Sequence, residues 1–216
     1  WKSTNLIPQK QAGYKAIGIK VLLGDFYTNK ARVLADLVDT YAAGELRLTL
    51  RQNIVIPFVR EDLIPVVYLE LEKLGFTELG YNKAVDITAC PGTDTCNLGI
   101  SSSTGIAREL ETVIKTEYKQ YLNSKDLVIK IRGCMNACGQ HNMANIGFQG
   151  MSIKTKNNLV APALQVLLGG GNSGNGSGRF ADKVIKVPSK RGPQALRLIL
   201  DDFQQNSDQK TFYDYY

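Results

Sequence analysis

The four cysteines fall in two tight pairs far apart in the chain: Cys90-Pro-Gly-Thr-Asp-Thr-Cys96 and Gly133-Cys134-Met-Asn-Ala-Cys138-Gly139-Gln140. Two disulfides would be one use for them. At 216 residues, however, the chain is long enough to build a core without covalent staples. Its start, Trp1-Lys-Ser-Thr-Asn, lacks the basic-then-apolar layout of a signal peptide. Paired, widely separated cysteines in a chain of this kind suit a metal centre in a reducing cytoplasm better than a disulfide framework. Zinc knuckles keep two to four residues between ligands, and the five between Cys90 and Cys96 make a wider loop. Such a loop suits an iron–sulfur cube, whose corners stand several ångströms apart and whose default ligands are thiolates. Spacing favours the cluster but leaves zinc and buried free thiols open.

The surrounding pattern alternates strands and helices. Lys15–Leu23 is apolar and partly β-branched and reads as a strand stopped by a turn at Gly24-Asp25. Leu34, Leu37, Val38 and Tyr41 recur at helical spacing over 28–42, with Thr28 as N-cap and Gly44 as terminator. Leu46–Ile56 reads as one long half-buried strand, and 60–74 as a helix with Pro65 in its first turns. The segment before residue 14 reads as an arm. In the second part, Cys96 is expected to open a long helix from Asn97 to about Tyr121, its N-terminal dipole favouring a thiolate. Strands are expected near Leu127–Ile131, Asn145–Lys154, Ala163–Leu168 and Lys183–Val187. A last helix covers Pro193–Gln204, and a loose polar tail follows Asn206. The glycine-rich stretch Gly169–Gly178 reads as a flexible loop, or as one whose backbone N–H groups approach a carboxylate or phosphate. The lone His141 reads as a hydrogen-bonded loop residue rather than a metal ligand.

The net charge of +6 is dispersed, without the dense basic stripe and interleaved aromatics of a nucleic-acid binder. No apolar run approaches the roughly 20 residues of a membrane span. The basic excess is solvated surface, or it faces an anionic cofactor, substrate or acidic partner.

The order Cys-x5-Cys then Gly-Cys-x-Asn-x-Cys-Gly resembles the cluster signature of the sirohaem nitrite/sulfite reductases. Leu22-Leu-Gly-Asp25 and Gly44-Glu-Leu-Arg-Leu-Thr-Leu-Arg-Gln-Asn-Ile54 are similar to that family's ferredoxin-like repeat. The resemblance implies an α+β chain: a ferredoxin-like half-repeat over 1–80, followed by an α/β iron–sulfur domain over 81–216. It implies a [4Fe–4S] cluster on Cys90, Cys96, Cys134 and Cys138, with the Cys138 sulfur also the axial ligand of sirohaem iron. It sets Asn136 near the sirohaem carboxylates, although an Asn there also suits a plain turn. Thr49, Arg51, Gln52 and Asn53 match the family's cofactor-facing strand motif, where an Arg fork suits a carboxylate. The implied reaction is six-electron reduction of nitrite to ammonia, with sulfite to sulfide as the alternative, fed by ferredoxin or a reductase flavoprotein. In that frame the chain is a carboxy-terminal part, inactive by itself, whose amino-terminal half supplies the substrate-clamping cations. The rival from another class is a non-enzymatic metal-binding or electron-carrier module built on the same four cysteines.

Overall fold

A computed structural model describes every residue except Ser173 and Asn175. Backbone contacts divide the chain into two units, Trp1–Asn82 and Lys83–Tyr216.

The first unit runs α1 (Lys2–Asn5), β1 (Leu6–Pro8), β2 (Tyr14–Ile19), α2 (Thr28–Tyr41), β3 (Arg47–Leu48), β4 (Ile54–Arg60) and α3 (Ile64–Lys73). Its strands form one antiparallel sheet in the order β1-β2-β4-β3. Leu34, Leu37 and Val38 fall on one side of α2 and meet Ile17, Ile19, Ile56, Val67 and Leu71 in a closed core. The leader is no free arm: Leu6 to Pro8 pair with Ile17 to Lys15, so β1 edges the sheet. Thr28 is the first helical residue rather than the cap, and Tyr27 before it makes no side-chain cap bond. Gly44 ends α2 as expected, with φ +66° and its N–H on the Val38 carbonyl.

The long strand expected over Leu46–Ile56 is instead a hairpin. Thr49 N–H donates to the Asn53 carbonyl, Thr49 Oγ1 accepts from Asn53 N–H at 3.1 Å, and Gln52 takes a left-handed φ of +65°. These short-range bonds turn the chain before alternation can continue, leaving Leu48 and Leu50 exposed. The Asn53 side chain, buried, then accepts the Val21 N–H at 2.9 Å and ties the turn to the end of β2.

The second unit contains β5 (Thr88–Ala89), α4 (Ser103–Glu117), β6 (Ile129–Arg132), β7 (Ile146–Lys154), β8 (Val160–Leu168), β9 (Gly171–Asn172), β10 (Gly178–Arg179), β11 (Asp182–Pro188), α5 (Gly192–Asn206) and α6 (Phe212–Tyr215). Five strands make a mixed sheet in the order β11-β8-β7-β6-β5; β5, β6 and β7 are parallel neighbours and the rest antiparallel. Leu110 and Ile114 of α4, Leu196 and Leu200 of α5, and Ile129, Ile131, Ile146, Phe148 and Leu164 of the sheet are among its most buried residues. Between the two helices, Arg197 forks onto the Glu117 carboxylate, and Tyr118 Oη donates to Asp201 at 2.7 Å. In the glycine-rich stretch β9 and β10 pair antiparallel; the tip of the loop expected there, at Ser173 and Asn175, lies outside the described residues.

The tail beyond Asn206 does not hang loose. Phe212 is 2% exposed, its ring centroid lies 4.9 Å from that of Phe203, and Tyr216 Oη donates to Asp202 and to the Ile199 carbonyl. Polar composition concealed an aromatic cluster that repeats at short spacing, Phe212, Tyr215 and Tyr216. Removing a ring this buried costs about 3 kcal/mol or more. Phe212→Ala should therefore lower the urea midpoint of the second unit clearly, and an unchanged midpoint would show that α6 is not docked in solution.

Candidate metal centre

Parallel pairing of β5 with β6 sets Thr88 beside Lys130 and Ala89 beside Ile131. Parallel strands end on the same side, so the residues that follow each of them, Cys90 and Gly133-Cys134, emerge together. Cys90 N–H donates to the Ile131 carbonyl at 3.3 Å, and Gly133 N–H donates to Cys90 Sγ at 3.3 Å. The Gly133 carbonyl then accepts from both Ile100 and Ser101 N–H, at 2.7 and 2.9 Å, which draws in the chain after Cys96. Residue 133 has to be glycine: a Cβ there would lie 2.6 Å from the Ser101 carbonyl oxygen and 2.7 Å from Gly92 Cα.

The segment after Cys96 does not become helix directly. Cys96 N–H bonds the Gly92 carbonyl, Gly99 N–H bonds the Cys96 carbonyl, and α4 begins only at Ser103, where Ser102 caps Gly105 N–H. Cys96 therefore lacks the helix-dipole support expected for it, and Leu98 in the same segment is 63% exposed. The tertiary bonds to Gly133 compete with helix extension through residues 97–102, a competition that local pattern does not show.

All four thiols are free; Cys90 and Cys134 are buried, while Cys96 and Cys138 are exposed. Cys90 sits in a polar nest. Ser103 Oγ donates to its carbonyl at 2.6 Å and stands 3.4 Å from its sulfur. Burial pushes the Cys90 thiol up, but Ser103, Gly133 N–H, Arg132 and Gly92 N–H favour thiolate and together hold it below its ordinary value. Among the described residues, no group of three or more His, Cys, Asp or Glu side chains is disposed to hold a single metal ion. The loops thus bring Cys90 up to Gly133-Cys134 and leave Cys96 and Cys138 on the outer side of the same two loops. Asn136 is exposed on the second loop, beside Met135. Thr49, Arg51, Gln52 and Asn53 belong to the first unit, where Thr49, Gln52 and Asn53 build the β3–β4 turn.

Two residues that the motifs did not single out, Lys130 and Arg132, lie buried around the second loop together with His141. Lys130 Nζ donates to Gln140 Oε1 at 3.1 Å. Arg132 Nε and His141 Nδ1 are buried without a hydrogen-bond partner. The signal was present in Ile129-Lys-Ile-Arg132, which alternates like a strand with one wet face; here both faces are buried. Four thiols on loops already bonded together, sulfur-directed N–H donors and a buried cation with an open nitrogen fit an anionic, thiolate-held cluster.

Residues 80–214 match the family described as "Nitrite and sulphite reductase 4Fe-4S domain", and residues 7–74 match "Nitrite/Sulfite reductase ferredoxin-like half domain". The chain belongs to the nitrite and sulfite reductase family. The α+β fold expected from the motifs is the fold of this family, as are the expected cofactors, a [4Fe–4S] cluster and sirohaem. The chain is 32% identical over 174 residues to the chloroplastic ferredoxin–nitrite reductase of Betula pendula, covering 79% of this chain and 29% of that protein. It is 33% identical over 166 residues to that of Spinacia oleracea, covering 76% and 27%. Against the ferredoxin sulfite reductase of Mycobacterium tuberculosis it is 25% identical over 160 residues, covering 73% and 29%. The chain therefore spans under a third of the length of these curated relatives. The solved structure of the Mycobacterium tuberculosis NirA protein superposes with a TM-score of 0.83 at 22% identity, over 98% of this chain and 39% of that one. No helix among the described residues is long and apolar enough to cross a membrane.

His141 yields a prediction free of any cofactor. Burial lowers its pKa from the usual 6.5, a contact with Gln149 opposes this, and Arg132 and Lys183 lower it further. A base depressed in the folded state contributes stability that is complete above pH 6.5 and is lost as pH falls through the folded value. As the chain's one histidine, it should dominate any loss of metal-free stability between neutrality and the carboxylate range. His141→Gln should flatten that slope in urea unfolding curves measured at several pH values; an unaltered slope would refute the assignment.

Proposed function

We propose that Cys90, Cys96, Cys134 and Cys138 hold the [4Fe–4S] cluster of a sirohaem-dependent nitrite reductase, in residues 81–216, with residues 1–80 as its ferredoxin-like half-repeat. The observation that carries this reading is the joining of both cysteine loops at one end of the parallel β5–β6 pair, with Gly133 N–H already directed at Cys90 sulfur. Backbone N–H donors to sulfur stabilise thiolate and favour cluster ligation over a protonated thiol. Exposed Cys96 and Cys138 complete the set when the bound group orders their loops, as metal binding and folding are coupled. Cys138 is the sulfur we assign to both cluster and sirohaem iron, and it is exposed. When bound, the two groups supply one-electron transfer and a metal site for the anion. Asn136, exposed two residues earlier, is assigned to the sirohaem carboxylates through its amide donors. Among Thr49, Arg51, Gln52 and Asn53, we assign a sirohaem carboxylate to Arg51, whose planar fork meets a carboxylate with two donors.

Nitrite is preferred to sulfite because the nitrite reductases of birch and spinach are 32% and 33% identical, against 25% for the sulfite reductase. Ferredoxin stands in the names of all three relatives, and we propose it as the donor here. The reading places the protein in a reducing cytoplasm, in keeping with four free thiols. The cations that bind and protonate the anion are assigned to the part of the relatives' length that this chain does not span.

Anaerobic reconstitution should load about four irons and four sulfides per chain, and Cys90→Ser or Cys134→Ser should abolish loading because one corner is left unheld. A chain that instead takes up one zinc tightly, and no iron, would overturn the assignment. Reduction of nitrite with a dithionite-reduced dye should be negligible for residues 1–216 alone. It should appear on co-expression with the remaining length of a nitrite reductase of this family, with nitrite turned over in preference to sulfite. Turnover of sulfite in preference would reverse the substrate, and substantial turnover by the chain alone would place the anion site within it.

A further inference from the structure

We propose that Arg132 is the counter-charge of the cluster, a positioning residue whose buried guanidinium faces both cysteine loops and raises the reduction potential of what they hold. The inference rests on the cluster reading above. Arg132 is the last residue of β6 and directly precedes Gly133-Cys134. It is only 4% exposed, yet it forms no ion pair with a carboxylate among the described residues, and its Nε has no hydrogen-bond acceptor. A cation shut away from water without an anion is strongly disfavoured, and buried charges in folded proteins are paired. What would pair with this one is shown by its neighbours.

The guanidinium occupies the space beside Gly139 where any larger residue would carry its Cβ; Gly139 follows Cys138 directly. Arg132 also stands close enough to Cys90 to be among the groups that favour the thiolate there. A single guanidinium thus lies against the residue beside a cysteine of the second pair and favours the thiolate of one of the first. Four thiolates bring four negative charges to an iron–sulfur core that carries fewer positive ones, so the held group is an anion. Arginine suits this place better than lysine, because its planar fork can donate in several directions at once. His141, buried close by and held neutral by that burial, adds no competing charge. A fixed positive charge favours the electron-rich state, so Arg132 makes the cluster easier to reduce, in line with net charge and hydrogen bonds to sulfur as determinants of cluster potential.

The test is a redox titration, by electron paramagnetic resonance, of the whole chain reconstituted anaerobically as wild type, Arg132→Lys and Arg132→Gln. At fixed applied potential, Arg132→Gln should lower the ratio of reduced to oxidised cluster about tenfold, equivalent to about 59 mV for one electron. Arg132→Lys, which keeps the charge, should retain most of the wild-type value. In the metal-free chain, Arg132→Gln should be at least as resistant to urea as wild type, because an unpaired charge has been removed. An unchanged potential in a loaded Arg132→Gln protein overturns the inference and leaves the cluster reading intact. If Arg132→Gln takes up no iron while Arg132→Lys does, the need for charge is supported. Loss of iron from both variants, or a metal-free Arg132→Gln chain much weaker than wild type, would assign Arg132 a packing role and overturn the proposal. A wild-type chain that loads no iron refutes the cluster reading itself, and this inference with it.

Discussion

The parallel register of β5 against β6 is the constraint on which the rest of the second unit depends. Only two residues of β5 take part, Thr88 and Ala89, yet they set Cys90 beside the start of a loop that begins 43 residues later in the chain. An antiparallel arrangement would have sent the two cysteine loops to opposite ends of the sheet. Because parallel neighbours need a long crossover, the chain between them has room for α4, which covers the sheet with Leu110 and Ile114 and carries Ser103 to the Cys90 backbone. One pairing decision therefore fixes the loops, the helix and the polar nest about a sulfur.

The same pairing explains why a cation is buried. Once β6 is a central strand, both of its faces are covered, and residues that alternate as polar cannot reach water. Lys130 finds Gln140, whereas the Arg132 guanidinium lies against the glycine after Cys138. The dispersed charge of +6 gave no hint of this, since most of it belongs to surface and only a few cations are enclosed. In the first unit the corresponding economy is a turn: Thr49 and Asn53 satisfy each other's backbone, and Asn53 reaches on to Val21.

Elements whose apolar residues repeat over several turns were legible. The α2 stripe of Leu34, Leu37 and Val38 and the α5 pair Leu196 and Leu200 are buried as their spacing requires. Structure departs from periodic pattern where a backbone bond competes with it. The Leu46–Ile56 alternation ends in side-chain-to-backbone bonds at Thr49, and the helix expected from Asn97 is delayed to Ser103 because Ile100 and Ser101 are bonded to Gly133. In the tail, polar composition weighs Asp and Gln equally with the rings of Phe212, Tyr215 and Tyr216 that dock it.

By itself the sequence determined the chemistry on offer: four thiols, in pairs of unequal width, flanked by glycines that let backbone approach backbone. Residue type and spacing are local properties, and they suffice to mark the family. Tertiary structure alone decided which thiols are buried, which N–H groups aim at sulfur, and that Arg132 is enclosed without a carboxylate. Those outcomes follow from strand order and long-range pairing, which bring together residues whose separation along the chain carries no trace of their contact.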